Sequence, residues 1–233
     1  MSTLAPSQER QSNAKPPPSE IIAGPPISPS MLEIVDAILK NLMDYTLGVI
    51  ALLLASLLFA IIALAIKLDS PGPVFYRRRV LGRGGRTFDA FKFRTMVADA
   101  DAMLAQHPEW AMERSEGRKM PDDLRLTRVG RRLRKYSLNE LPQLLNVVLG
   151  QMSLVGPRMV APAELENRDR WRNVLIRAKP GLTGLWQISG RSDLPIEERI
   201  RLDAHYVEHR NIVMDIGILL KTIPAVLRGK GAY

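Results

Sequence analysis

The sequence contains no cysteine, and that absence removes several kinds of site at once. Disulfide bonds, thiolate zinc sites and cysteine nucleophiles are all excluded. Histidine is scarce as well. The three residues, His107, His205 and His209, are too few and too scattered to indicate a histidine-built metal site.

A secretory signal is also missing. Residues 1–30 are rich in Pro, Ser, Ala and Gln, and no basic start is followed by an apolar stretch. A segment of this composition has little apolar surface to bury. We therefore predict that residues 1–30 form a disordered N-terminal tail.

Acidic residues are the minority among the charges, with 24 Asp and Glu against 33 Lys and Arg and a net charge of +9. Such an excess suits nucleic acid, an anionic bilayer surface or a phosphorylated substrate. The chain has no platform of stacking aromatic residues and no recognisable nucleic-acid reading motif. We therefore do not expect nucleic acid as a partner.

The most apolar part of the chain is an uncharged run from Tyr45 to Ile66. A helix of about 20 residues spans a hydrocarbon core of about 30 Å. Basic residues after the run place that side in the cytoplasm, and the flank before it is neutral to acidic. We predict a membrane-associated helix at 31–68, either spanning or re-entrant, with a buried core helix as the alternative. Residues 69–233 then form a cytoplasmic domain.

A turn cluster, DSPGP at 69–73, ends the apolar helix. The segments VFYRRRV and TFDAFKFRTM then flank LGRGGR, a pattern that predicts a short β-hairpin. The period of two places Phe91 and Phe93 on one face and Lys92 and Arg94 on the other. That basic face could contact phosphate or simply face solvent.

The remaining segments are predicted to be mostly helical, so the fold class is α+β. The predicted helices lie within 97–123, 125–135, 163–176, 195–210 and 212–227. The last is amphipathic and followed by basic residues, which suits an interfacial position on a bilayer or packing against the core. The glycine-rich segment 180–191, PGLTGLWQISGR, is interpreted as a binding loop.

The stretch from Arg131 to Arg158 carries a basic run and a helix-start signal. Ser137 followed by Glu140 fits a capping box, and the free N–H groups of such a helix start attract anions. Asn139 is an alternative N-cap, with Pro142 in the first turn. The stretch therefore predicts a site that handles phosphate.

Several segments together resemble one family, the bacterial sugar transferases, also described as monotopic polyprenyl-phosphate phosphoglycosyltransferases. The resemblance covers roughly residues 40–233. It is carried by DSPGPVFYRRRV, GRGGRTFDAFKFRTM, RVGRRLRKYSLNELPQLLNVVLGQMSLVGPR, KPGLTGLWQISGRSD and LLKTIPAVLRGKGAY.

The resemblance implies transfer of a sugar-1-phosphate from a UDP-sugar to a membrane polyprenyl phosphate, with release of UMP. In this family an adjacent Asp-Glu pair works with Mg²⁺: the Asp attacks the diphosphate and the Glu helps to hold the metal. Basic groups offset the repulsion between a carboxylate and an anionic diphosphate. The matching residues are Lys92, Arg94, Arg134 and Arg158 for the substrate phosphates, and Gln187 and Arg191 in the donor-side loop.

The chain departs from the family pattern at two positions. Ser56 is followed by Leu57 where the family has the proline that breaks its re-entrant helix. Asn139 stands at the position of the nucleophilic Asp, which leaves Glu140 as the principal carboxylate, either as nucleophile or as metal ligand. The alternative is a catalytically impaired membrane scaffold or substrate-binding regulator.

The resemblance also implies a location and leaves the assembly open. The expected location is the bacterial inner membrane, with the catalytic domain on its cytoplasmic face. Membrane lipid is then a partner, and a homodimer remains an alternative to a monomer.

Overall fold

The computed structural model describes residues 30–107, 123–165 and 169–228. The predicted disordered tail lies outside the described residues, except for Ser30. The described part is mostly helical with a short antiparallel hairpin, which confirms the α+β fold class.

Helix α1 is one continuous helix, Met31–Asp69, and it includes the whole apolar run. Ser30 Oγ accepts the backbone N–H of Glu33, whose carboxylate accepts the N–H of Ser30, so a capping box fixes its start. Only 11% of its most apolar window is buried. It is therefore not a buried core helix, and it is long and apolar enough to cross a membrane.

Helix α1 packs on the rest of the molecule along much of one face, from Asp36 and Asp44 near its start to Asp69 at its end. Near its start, Asp36 Oδ1 accepts the backbone N–H of Ile212 at 2.8 Å. At its end, Ile62 and Ile66 are buried, and Asp69 Oδ2 accepts the N–H of Val129 at 2.9 Å. The face between these contacts that points away from the domain is apolar and exposed.

The predicted hairpin is present. Strands β1 (Phe75–Leu81) and β2 (Thr87–Phe93) pair antiparallel, from Phe75 opposite Phe93 to Leu81 opposite Thr87. Their connection contains Gly84 and Gly85 with positive φ angles, which suit glycine. Phe93 stacks on Phe75 and packs against α1, whereas Lys92 lies on the other face as predicted.

Seven further α-helices complete the described helical part. They are α2 (Ala100–Gln106), α3 (Arg128–Lys135), α4 (Gln143–Val148), α5 (Asp169–Leu175), α6 (Leu185–Ser189), α7 (Ile196–His209) and α8 (Ile212–Arg228). Helices α2, α3, α5, α7 and α8 confirm predicted helical regions, and residues 108–122 lie outside the described part. Helix α8 buries Ile218 and exposes the apolar side chains of Val213, Leu220 and Ile223.

The main core lies between the hairpin, α4, α7 and α8, with Val80, Leu144 and Tyr206 among its buried members. Two short strands, β3 (Ser153–Val155) and β4 (Gly181–Thr183), pair in parallel beside it.

Segment 180–191 is not a loop as predicted, because it forms β4, α6 and the start of a 3₁₀ turn (Arg191–Asp193). Its binding role stays a prediction. Its glycines serve backbone packing: a Cβ on Gly181 would collide with the backbone of Gly156.

Candidate active site

The predicted capping box at Ser137 is wrong. Ser137 has a φ of 56° and makes no side-chain cap, and residues Leu138–Glu140 form a 3₁₀ turn. Helix α4 begins only at Gln143, with Pro142 in the N-cap position. The left-handed conformation of Ser137 ends α3 and turns the chain, whereas a capping residue needs an extended backbone. Asn139 does not cap α4 either.

The turn instead presents Glu140 to a group of hydrogen-bond donors, here called the Glu140 cluster (Lys92, Asn139, Glu140 and Gln143). Lys92 Nζ lies 2.7 Å from Glu140 Oε1, and Asn139 Nδ2 donates to the same oxygen at 2.9 Å. Gln143 Nε2 donates to Oε2. The Glu140 side chain is 28% exposed, so a ligand can still reach the carboxylate.

These side chains do not fit a magnesium ion as they are arranged. Mg²⁺ prefers carboxylate, carbonyl and water oxygens. Around Glu140 the neighbours present an ammonium group and two amide nitrogens, all of them donors. Within the described ranges no group of three or more His, Cys, Asp or Glu residues could hold a metal ion.

A second ionic group, here called the Glu164 cluster, is formed by Arg78, Arg158 and Glu164. Arg158 Nη2 donates to Glu164 Oε2 at 2.5 Å, and Arg78 Nη2 donates to Oε1. Glu164 Oε1 also accepts the backbone N–H of Ala161 at 2.9 Å. The backbone N–H of Arg158 donates to the buried Asp203, which fixes the chain there.

The hairpin places the two clusters side by side. Arg78 lies opposite Ala90, and Lys92 lies opposite Tyr76, so Arg78 and Lys92 point from the same face of neighbouring strands. Diagonal pairs of this kind are separated by about 7–8 Å. The structure therefore brings the predicted residues Lys92, Glu140 and Arg158 to one region.

Two other predicted phosphate ligands, Arg94 and Arg134, have partners elsewhere. Arg94 is 6% exposed, and its guanidinium donates to the carbonyl oxygens of Ser70, at 2.8 Å, and Pro71. Arg134 Nε donates to Thr95 Oγ1 at 3.0 Å. Both contacts tie neighbouring segments together, and phosphate binding by these two arginines stays a prediction.

The donor-side residues Gln187 and Arg191 lie in α6 and the turn after it. Gln187 Oε1 and Arg191 Nη1 are buried with no hydrogen-bond partner in the described part, as are Trp186 Nε1 and Asp203 Oδ1. Burial lowers the pKa of Arg191 and raises the pKa of Asp203 to about 7. Such unpaired polar atoms are costly, which makes this region a candidate for ligand contacts.

The sequence model of the bacterial sugar transferase family matches residues 35–229, most of the chain. The chain belongs to the bacterial sugar transferase family. It is a transferase enzyme by that membership, and its family includes proteins that act in exopolysaccharide production.

Named relatives give the family's scope. The exopolysaccharide production protein ExoY of Rhizobium meliloti is 44% identical over 198 residues, 83% of this chain and 88% of that protein. An undecaprenyl-phosphate galactose phosphotransferase of Salmonella typhimurium is 41% identical over 199 residues, 84% of this chain and 42% of that protein. A UDP-glucose:undecaprenyl-phosphate glucose-1-phosphate transferase of Xanthomonas campestris is 39% identical over 202 residues, 83% of this chain and 40% of that protein.

This sugar transferase keeps α1 unbroken at the position where the resemblance implies a proline. Ser56 Oγ donates to the carbonyl of Leu53 at 2.8 Å, and the helix continues through Leu57. A helix without proline has no forced loss of a backbone hydrogen bond, which accounts for its continuity.

Three residues of the site were missed by sequence reasoning: Arg78, Gln143 and Glu164. Arg78 and Glu164 are 86 residues apart, so no local pattern joins them. Gln143, three residues after Glu140, is the one that spacing could have suggested, because residues three apart on a helical turn are neighbours.

Proposed function

We propose that this sugar transferase moves a sugar-1-phosphate from a UDP-sugar to polyprenyl (undecaprenyl) phosphate and releases UMP. The reaction would be the first membrane step of exopolysaccharide, capsule or O-antigen synthesis. The observation that supports it most is that Lys92, which contacts the Glu140 carboxylate, shares a hairpin face with Arg78 of the Glu164 cluster. The names of the relatives supply the substrate classes.

In this proposal Glu140 is the nucleophile. A carboxylate has about four lone-pair sites, and three donors leave about one for a further contact. An oxygen of Glu140 attacks the sugar-bearing phosphorus, the diphosphate bond breaks, and UMP leaves with the bonding electron pair. An oxygen of polyprenyl phosphate then attacks the same phosphorus and releases the carboxylate.

The basic residues make this attack feasible. Two anions repel each other as they approach, and Lys92 and the two guanidinium groups offset that repulsion. Arginine suits phosphate oxygens because its planar group can donate two parallel hydrogen bonds. Among the proposed phosphate ligands, Lys92 contacts Glu140 directly and Arg158 lies in the Glu164 cluster.

Release of UMP tests the proposal. The purified protein is incubated with a panel of UDP-sugars, polyprenyl phosphate and Mg²⁺, and we expect release with at least one sugar. Glu140→Gln should lower turnover by about 10⁶-fold, the size of the loss when a catalytic nucleophile is removed. The exposed Glu208→Gln on α7 is the matched control. Full activity in Glu140→Gln would remove Glu140 from the chemistry.

A second candidate function, a membrane scaffold or regulator that binds substrate without turnover, follows from Asn139. Its amide donates to Glu140 and cannot replace a carboxylate nucleophile. Asn139→Asp separates the candidates: a large gain in UMP release favours an impaired natural form, whereas no gain favours chemistry that does not use this position.

The family resemblance implies Mg²⁺ at Glu140, and we propose that the donors around Glu140, Asn139 among them, weaken its binding in this chain. Titration of Mg²⁺ into the wild type and Asn139→Asp, followed by calorimetry, tests it directly. Since the present side chains offer donors, we expect weak binding by the wild type and tighter binding once residue 139 is a carboxylate. Tight binding by the wild type would mean that the cluster rearranges around the ion.

The proposed location is the inner face of the bacterial cytoplasmic membrane, with α1 re-entrant or lying along the bilayer. The supporting observation is that both ends of α1 contact the same domain. The single variants Ser30→Cys and Ser70→Cys would be labelled without background, because the chain has no cysteine of its own. Labelling of both from the cytoplasmic side is expected, and labelling of Ser30 only from outside would indicate a crossing helix.

A further inference from the structure

Glu164 holds two arginines with its two oxygens. Oε1 accepts from Arg78 and Oε2 accepts from Arg158. The three side chains are partly exposed, at 31% for Arg78, 32% for Glu164 and 17% for Arg158. A dissolved anion can therefore reach the place that the carboxylate occupies.

Of the three consecutive arginines on β1, Arg78 alone shares the face with Lys92. Arg77 and Arg79 point to the opposite face, where Arg77 lies over the ring of Phe91 and Arg79 pairs with Asp89. Arg78 is thus positioned differently from its two neighbours although all three carry the same charge. Sequence composition could not have separated them.

The Glu164 carboxylate makes the contacts that a phosphate group would make with Arg78 and Arg158. Two guanidinium groups that converge on two oxygens form the arrangement by which arginine binds phosphate and carboxylate alike. Partly exposed ion pairs contribute little to stability, so an exchange of one anion for another costs little. Lys92, on the same hairpin face as Arg78, adds a third positive charge and contacts Glu140.

We propose that Arg78 is a further phosphate-binding residue of this active site, and that the substrate's diphosphate displaces the Glu164 carboxylate from Arg78 and Arg158. The inference rests on the proposed function, because it requires a diphosphate substrate. No covalent bond changes in this step: one anion replaces another on the same two cations. Glu164 then limits the affinity of the free protein for its substrate.

The test is binding of UDP and of inorganic pyrophosphate to the full chain in detergent, measured by calorimetry. Glu164→Gln removes the competing charge but keeps an oxygen for the N–H of Ala161. Two partly exposed pairs correspond to roughly a 2- to 30-fold lower Kd in Glu164→Gln. Arg78→Gln loses charge-assisted hydrogen bonds and should raise the Kd by about tenfold or more.

Matched controls come from the opposite face of the same hairpin. Arg79→Gln and Asp89→Asn remove the same charges from an exposed pair that does not face the site, and we expect Kd values equal to that of the wild type. An unchanged Kd in Arg78→Gln overturns the inference, as does an equal effect of Arg79→Gln. Arg78→Gln decides the matter should Glu164→Gln fail to fold.

The two proposals fail in different ways. Pyrophosphate binding does not depend on sugar transfer, so the expected order of Kd values without UMP release would contradict the proposed function alone. UMP release with equal Kd values in all variants would contradict the role of Arg78 and Glu164 alone.

Discussion

Two lysine–carboxylate clusters in this molecule have similar members and different surroundings. In the Lys40 cluster (Lys40, Asp44, Tyr206 and Asp215), Lys40 Nζ contacts Asp215 Oδ2 at 2.8 Å, Asp44 Oδ1 at 3.1 Å and the carbonyl oxygen of Val155 at 3.1 Å. An ammonium group has three N–H donors, and all three are used. In the Glu140 cluster, Lys92 contacts a carboxylate that is also exposed to solvent.

The exposure of the carboxylates separates the clusters. Both lysine side chains are 16% exposed, but Asp215 is 2% exposed and Glu140 is 28% exposed. Tyr206 donates to Asp215 at 2.7 Å, and burial raises the pKa of Asp215 although Lys40 opposes the rise. The buried Lys40 cluster holds α1 to α8. The more exposed Glu140 cluster is accessible to a substrate.

The largest expected effect is the loss of stability on disrupting the Lys40 cluster. Lys40→Met leaves Asp44 and Asp215 without their cation, and loss of one partner of a buried ion pair costs about 3–5 kcal/mol. Chemical denaturation in detergent should show a loss of that size in the free energy of unfolding. Lys67→Met on the same helix is the control, because Lys67 donates to the exposed carbonyl oxygen of Gly72 and not to a buried carboxylate. Equal stability of the two variants would contradict a structural role for the cluster.

The second-largest effect is expected for the buried carboxyl group of Asp203, which should make the stability depend on pH. Asp203 is fully buried, and its pKa is raised from 3.8 to about 7 by burial. The folded state therefore favours the protonated acid, so its contribution is complete below about pH 4 and is lost as the pH rises to about 7. The shift of about three pKa units corresponds to roughly 4 kcal/mol.

Asp203→Asn should remove that pH dependence. The free energy of unfolding of the wild type and of the variant is measured from pH 4 to pH 8. The wild type should lose stability relative to the variant as the pH rises. The exposed Asp89→Asn serves as the control. A constant difference for Asp203→Asn would mean that the carboxyl group titrates at its ordinary pKa.

Disrupting the Glu140 cluster should lower turnover and leave the free energy of unfolding nearly unchanged. Lys92→Met removes one charge-assisted hydrogen bond from Glu140, worth about 1.5–3 kcal/mol, so turnover should fall by roughly 10- to 100-fold. The free energy of unfolding should change by less than about 1 kcal/mol, since the pair is partly exposed. A large loss of stability with full turnover would place Lys92 with the structural cluster.

Salt should give the smallest effect and sharpen the same contrast. Raising the ionic strength from about 0.1 M to 1 M shortens the screening length from about 10 Å to 3 Å. The KM for UDP-sugar should rise, because exposed cations attract the substrate. The stability difference between the wild type and Lys40→Met should stay nearly constant, and a large drop in it would show that solvent ions reach the Lys40 cluster.

Local patterns in the sequence predicted the elements better than the contacts between them. The hairpin, α3, α7 and α8 follow from periodicity and turn residues within each segment. The capping box at Ser137 failed because the chain is left-handed there, a conformation set by how α3 meets the next turn. Arg94 matched a basic motif position, yet its guanidinium is held by the carbonyls of Ser70 and Pro71.

The site was predicted in part for the same reason. Lys92, Glu140 and Arg158 were found by resemblance, and the structure places them in neighbouring clusters. Arg78 and Glu164 became visible only when the strand register placed one arginine of three on the site's face. Pairing over such a separation depends on tertiary structure, which no short pattern records.

The contacts at both ends of α1 have a mechanical consequence. A domain joined to its apolar helix through one flexible segment can tilt and swing, whereas two separated attachment points remove that freedom. The hairpin and α1 are thereby fixed in relation to each other, as Phe93 packed against Phe59 also indicates. Glu140, which contacts Lys92 of the hairpin, is thereby held at a constant distance from the apolar face of α1.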